Sequence, residues 1–243
     1  VIDWTEFDAA LEQYQGEFWW RDDDAVADTP QLQTLLTLAD DVGAPLTLAV
    51  IPAHLDKSLP EAIKDRNVTV AVHGWSHTNH APVDEKKAEF RAHRPEDVLL
   101  DEAKQGKYRL DEVFGAQSLP VFIPPWNRLD EDLPLADIGY RGVSVFGQRA
   151  LTRNRNLLRF DAHIDPIDWR GTRSVVAPKR ILANVIKLMG SNEPIGLMTH
   201  HLVHDDAIWD FLHVLVSHLK QKGAKWTSGM DLLTRASQKT SLG

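Results

Sequence analysis

Two short stretches of this sequence carry residue types that could do hydrolytic chemistry together. Arg21-Asp22-Asp23-Asp24 follows the apolar run Phe18-Trp19-Trp20, and His73-Gly74-Trp75-Ser76-His77 follows the β-branched run from Val68 to Val72. Three adjacent carboxylates repel one another and need cations, water or hydrogen-bond donors, so setting them where a buried strand emerges is costly unless something binds there. A His-x-x-x-His pair completed by a carboxylate from another strand makes a 2-His-1-carboxylate site, which leaves coordination positions open for water and substrate. Taken singly, the first stretch also reads as a solvated acidic turn and the second as a turn with two hydrogen-bonded histidines. Further clusters shift the balance towards chemistry: Ile123-Pro124-Pro125-Trp126-Asn127, Asp165-Pro166-Ile167-Asp168-Trp169 and Leu197-Met198-Thr199-His200-His201.

The elements that must position these groups can be read from periodicity. Apolar, β-branched runs predict strands at Phe18 to Arg21, Leu46 to Ile51, Val68 to Val72, Val121 to Ile123, Gly142 to Phe146, Leu158 to His163 and Ile195 to Thr199, with a further one at Ala224 to Thr227. Helical spacing predicts helices at Thr5 to Tyr14, Pro30 to Gly43, Leu59 to Arg66, Pro95 to Phe114, Arg180 to Met189, Ala207 to Lys220 and Gly229 to Ala236. In the fourth of these the stripe Val98, Leu99, Ala103, Leu110, Val113 and Phe114 is expected to be core. Alternation at this spacing implies βα units, a parallel sheet and a single-domain α/β barrel over residues 1–243. Active sites in such barrels form at the carboxyl ends of the strands, where each polar cluster falls.

Composition excludes several classes. A formal charge of −8 with no basic tract disfavours nucleic acid as a partner. The arginines at 149, 153, 155 and 159 form one short positive cluster, read as a solvated loop. Cysteine is absent, so a metal must sit on histidine and carboxylate. No apolar run reaches the length of about 18 residues that a membrane span needs, and no basic region followed by an apolar core opens the chain, so the expectation is a cytoplasmic protein without a span.

In order and spacing, the clusters resemble the polysaccharide deacetylase (NodB homology) family, carbohydrate esterase family 4, from about Phe18 to His201. In that family an Asp-Asp pair ends the first strand and His-x-x-x-His the third; an Arg-Pro-Pro-Tyr-like segment, Asp-x-x-Asp-Trp and Leu-x-His follow. The resemblance implies an incomplete or distorted (β/α)7 barrel that removes N-acetyl groups from a sugar or polysaccharide with a divalent metal, zinc first, with cobalt, nickel or manganese as alternatives. It also leaves room for another amide or ester, such as an O-acetylated sugar or a cyclic ureide, and for an inactive carbohydrate-binding barrel.

Two departures matter. Ile123 stands where the family has an arginine that pairs with the catalytic aspartate, and Trp126 where it has Tyr or Phe. Arg21 can replace the missing arginine, because residues i and i+2 of a strand share a face and Arg21 then points with Asp23. That pairing favours Asp23 as base and Asp24 as metal ligand; straight matching to the family's Thr-Phe-Asp-Asp-Gly gives Asp22 as base and Asp23 as ligand. The resemblance implies that Asp24, His73 and His77 hold the metal, that Asp23 takes the proton of the attacking water, and that a backbone N–H near Trp126 helps to hold the oxyanion. His200, oriented by Asp168, would protonate the leaving amine; His201 competes for that role, since alternation sends the two to opposite faces. Trp75, Trp126 and Trp169, with Pro125 and Asn127, would line the sugar site, although core packing suits each tryptophan equally well.

Overall fold

The structure is a computed structural model that describes residues 2–130, 132–147 and 157–240. Its parallel strands are β1 (Phe18–Ala25), β2 (Leu46–Val50), β3 (Val68–His73), β4 (Ser118–Ile123), β5 (Gly142–Val143), β6 (Leu158–Arg159), β7 (Ala162–Ile164) and β8 (Ile195–Thr199). The helices are α1 (Thr5–Gln13), α2 (Pro30–Val42), α3 (Ser58–Ile63), α4 (Glu96–Phe114), α5 (Pro178–Met189), α6 (Asp206–Gln221) and α7 (Gly229–Thr240). The strands form one sheet in the order β6-β5-β4-β3-β2-β1-β8-β7. Its two ends belong to a single run of chain, because β6 pairs with β5 while β7, three residues on, pairs with β8. Between them Ala162 N–H donates to Val145 O at 2.9 Å and Gly147 N–H to Ala162 O at 2.8 Å, so the sheet curls until its edges meet. This is an incomplete (β/α) barrel: β4 and β5 are linked through a 3₁₀ turn at Leu135–Ile138 rather than an α-helix.

Alternation along the strands sorts side chains into two cores. Phe18, Trp20, Leu46, Leu48, Val70, Val72 and Phe122 pack outward with the helices, whereas Trp19, Ala49, Ala71, Leu119, Val121 and Ile123 fill the barrel with Phe160 and Leu233 of α7. Trp19 fits inside because its partner on β8, Gly196, has no side chain; a Cβ there would lie 2.6 Å from the Trp19 indole nitrogen. The inward register of β1 continues from Trp19 to Arg21 and Asp23, which places polar groups above this apolar plug.

Most predicted elements are present, with five corrections. Strand β1 runs to Ala25, so the aspartates lie within the strand rather than after it. The fifth strand keeps ladder pairing only at Gly142–Val143, with an isolated bridge from Phe146 to Ala162, and the sixth is broken at Phe160–Asp161, where the ladder changes partner. The segment expected as an eighth βα strand makes one bridge, Phe18 to Trp226, which lies across the start of β1. On α4 the buried stripe is Leu99, Ala103, Gly106, Leu110 and Phe114, while Val98 and Val113 are 38% and 42% exposed. A five-residue stripe at 3–4 residue spacing already covers the face that β3 and β4 present, and those two valines fall on its flanks. Of the arginine cluster, 149, 153 and 155 lie outside the described residues, and Arg159 pairs with Asp161 at 2.7 Å. Among the described residues no helix is long and apolar enough to cross a membrane.

Candidate metal centre and active site

Asp24 reaches the site through a break in the strand. Strict alternation would send it outward with Asp22, but its φ of 72° is left-handed and the pairing register with β2 shifts between Asp22 and Ala25. The kink turns Asp24 back to the side of Asp23, so consecutive aspartates can serve one centre. Its Oδ1 lies 3.1 Å from His73 Nε2 and 3.3 Å from His77 Nε2. One ligand atom from each of Asp24, His73 and His77 falls within 4.8 Å of the other two. His73, at the end of β3, makes a 3.0 Å hydrogen bond between Nδ1 and the Ile123 carbonyl oxygen, which leaves Nε2 facing Asp24 with a lone pair available. His77 is also left-handed, with φ 56°, and that backbone turns its ring onto the same point.

The donor set fits a divalent ion. It is nitrogen and carboxylate oxygen without thiolate, and Asp24 Oδ1 is buried with only the two histidine nitrogens facing it. Burial pushes the Asp24 carboxyl up, but hydrogen bonding and charge from His73, with His77 beside it, hold it well below the usual carboxylate range. Burial pulls His73 down, and the charges of Asp23 and Asp24 outweigh it and raise the imidazole, so the local field favours a positive charge. Burial and the neighbouring His73 lower His77, which keeps it in the neutral form that a metal ligand needs.

Asp23 is fixed from the side. Arg21 is fully buried; its Nε approaches Asp23 Oδ1 at 2.8 Å and its Nη2 donates to Asp23 Oδ2 at 3.0 Å. Nη1 donates to Ser144 Oγ at 2.7 Å, and Nη2 also donates to Asn127 Oδ1 at 2.8 Å. Asp22 faces the other way: its Oδ2 accepts Thr199 Oγ1–H at 2.6 Å and His201 N–H at 3.0 Å, and its Oδ1 lies 2.5 Å from His201 Nδ1. Burial pushes Asp22 up and His201 down, and their attraction outweighs both penalties, lowering the carboxyl and raising the imidazole. The next histidine is on the site side, with His200 Nε2 3.8 Å from Asp23 Oδ2.

No family model and no curated protein matches the sequence. Solved structures share its architecture. A peptidoglycan deacetylase from Bacillus subtilis aligns at a TM-score of 0.59 with 15% identity, covering 95% of this chain and 96% of that one. A family 4 acetyl xylan esterase from Clostridium thermocellum, in complex with cobalt, aligns at 0.57 with 16% identity over 89% and 90%. The fold is that of carbohydrate esterase family 4. Another structure with the family 4 fold is a pseudoenzyme from Bacillus anthracis, at 0.59 with 15% identity over 90% of this chain and 66% of that one.

On this family 4 scaffold the remaining candidate residues take up varied positions. The Trp126 ring centroid is 4.3 Å from that of His77, and Trp169, 39% exposed, stands edge-on to His200 at 4.9 Å. Trp75 packs against the main core and Pro125 is buried close to Gly74. Asn127, half-buried, accepts the hydrogen bond from Arg21. Asp168, expected beside His200, instead folds onto its own loop, where its Oδ2 accepts Thr172 N–H at 3.3 Å. Besides Asp23, the charge of His200 acts on Asp165, whose Oδ2 accepts the Trp169 indole N–H at 2.7 Å. Burial raises Asp165, with His200 opposing. Sequence reasoning missed Asp165 and Ser144 in these positions. Asp165 alone had a signal, as the first acid of the Asp-x-x-Asp-Trp run.

Proposed function

We propose that this chain is a divalent-metal-dependent hydrolase that removes N-acetyl groups from an N-acetylated sugar or polysaccharide. The observation that carries the reading is the convergence of Asp24, His73 and His77 on one point, with Asp23 held beside it by Arg21. Asp24, His73 and His77 hold the ion, with zinc proposed and cobalt, nickel or manganese able to substitute. A divalent ion there supplies a Lewis acid and lowers the pKa of bound water.

The remaining work falls to the protein. Asp23 takes a proton from the attacking water, and the two contacts from Arg21 fix its orientation for that transfer. The carbonyl oxygen gains charge as the new C–O bond forms, and a backbone N–H at Trp126, where two successive left-handed residues turn the chain, offers a donor. His200 delivers a proton to the leaving nitrogen as the C–N bond breaks, giving acetate and the free amine. Asp165 acts on His200 through its charge, and the half-buried ring of Trp126 and the exposed ring of Trp169 flank a sugar. The acetyl xylan esterase neighbour supports a second reading of the same site, in which the bond broken is an O-acetyl ester.

A panel of chitooligosaccharides, peptidoglycan fragments, acetylxylan and cyclic ureides, assayed with Zn²⁺ or Co²⁺ and with a chelator, tests this. Acetate should be released from N-acetylated substrates, cease on chelation and return with metal. Acetate from acetylxylan alone selects the ester reading, and no product from any substrate with metal supplied overturns both.

A further inference from the structure

Glu89 is a carboxylate buried to 1% exposure and directed at the loop that follows β3. Its Oε1 accepts Ser76 N–H at 2.8 Å, Ser76 Oγ–H at 3.0 Å and, at the longer distance of 3.5 Å, Thr78 N–H. Its Oε2 accepts Trp75 N–H at 3.2 Å. The loop has left-handed residues at both ends, Gly74 with φ 62° and His77 with φ 56°. That backbone gathers successive N–H groups into a concave nest, an arrangement that binds an anion, and Glu89 is an anion supplied by the chain itself. A left-handed histidine persists only where its surroundings hold it there. Gly74 completes the fit: a Cβ at that position would lie 2.1 Å from Glu89 Oε2 and 2.5 Å from Pro125 Cγ.

Glu89 is itself held from both sides. Asn79 Oδ1 accepts Ala88 N–H at 2.9 Å and Ala81 N–H at 3.1 Å, and His80 N–H donates to Ala88 O at 2.9 Å, so the excursion after His77 folds back on itself. Phe90 then anchors in the core, edge-on to Phe122 at 4.8 Å and bridged to Leu129.

We propose that Glu89 is a positioning residue for the metal centre, an internal anion that fixes the left-handed loop and through it the ring of His77. The inference rests on the assignment of Asp24, His73 and His77 as ligands but not on the reaction they serve. Outer groups that orient a ligand typically contribute about 10–100-fold in metal affinity. Co²⁺ titration of apo protein, read by visible absorption and by calorimetry, should therefore show Glu89→Gln binding about 10–100-fold more weakly than wild type, with an unchanged far-UV spectrum. Amide hydrogen exchange at Trp75 and Ser76 in the apo protein should quicken in the same variant. Gly74→Ala, which drives a methyl group into the Glu89 carboxylate, should weaken Co²⁺ in the same way. Glu89→Gln with wild-type affinity, or with unchanged exchange at those amides, overturns the proposal. A wild type that binds no Co²⁺ overturns the ligand assignment, and the proposal with it. Tight Co²⁺ binding by the wild type without acetate release refutes the hydrolase reading alone.

Discussion

Asp22, Asp23 and Asp24 are adjacent in sequence and have three different surroundings. Asp23 faces Arg21, Asp24 faces two histidine Nε2 atoms, and Asp22 is enclosed with Thr199 and His201 on the opposite side of β1. Replacement by asparagine should therefore give three different phenotypes. Asp23→Asn is expected to lower kcat by roughly 10²–10⁴ with metal content unchanged, the range for a general base, and Asp24→Asn to lose the metal. Asp22→Asn leaves His201 buried without its counter-charge and should cost about 3–5 kcal/mol in urea unfolding. If Asp22→Asn stops turnover without destabilising the fold, and Asp23→Asn releases metal, the roles are shifted by one residue. The two histidines after β8 divide in the same way. His200→Ala should lower kcat by about 10² or more with metal and stability retained. His201→Ala should show its main loss in stability, since it strands the Asp22 carboxylate. Equal, small kinetic effects from both would remove His200 from the mechanism.

At the scale of elements, α4 is fixed by one narrow stripe. Its sequence has six apolar residues at helical spacing, but the helix buries the line through Leu99, Ala103, Leu110 and Phe114, with Gly106 admitting Val72 and Pro52. Leu110 is completely buried and Val113, three residues on, is 42% exposed. Leu110→Ala should then cost about 2–5 kcal/mol, and Val113→Ala should stay within about 0.5 kcal/mol. Comparable losses in chemical denaturation for both would show that the helix is rotated from the orientation described. The position of α4 matters to the site because Gly106 lies against β3, at 3.4 Å from the Gly74 carbonyl oxygen when a Cβ is placed there. Helix packing and the loop that carries His77 are thus in direct contact.

Across the whole molecule, acid sensitivity should come in part from a histidine outside the metal centre. His204 accepts His200 N–H at 3.2 Å and packs against Trp209; burial, with His200 and His201 nearby, lowers it from 6.5 to about 4. The unfolded chain takes up that proton as pH falls through 6.5, whereas the folded chain resists until about 4. The stabilisation is complete above 6.5 and is lost progressively down to about 4, amounting at most to about 3 kcal/mol at 1.36 kcal/mol per unit. Urea unfolding at pH 7 and pH 5 should show a larger drop for wild type than for His204→Gln. Identical drops would assign the acid limb to other groups.

The order of βα units, the bounds of α2 at Pro30 and Gly43, and the shared face of Arg21 and Asp23 were all legible in the sequence, because each follows from a period of 2 or 3.6 or from local turn chemistry. The spacing of His73 and His77 was legible for the same reason. Tertiary structure alone decided the rest. Alternation places Asp24 on the wrong face, and only the left-handed break in β1 returns it to Asp23. Asp165 rather than Asp168 joins Asp23 in acting on His200, because Asp168 is taken by the backbone of its own loop. Glu89 sits in a stretch without periodicity, and its place under the His77 loop depends on a fold-back held by Asn79 and His80. A repeat in sequence reports which face a residue is on; which group from a distant segment meets it there depends on how the segments pack.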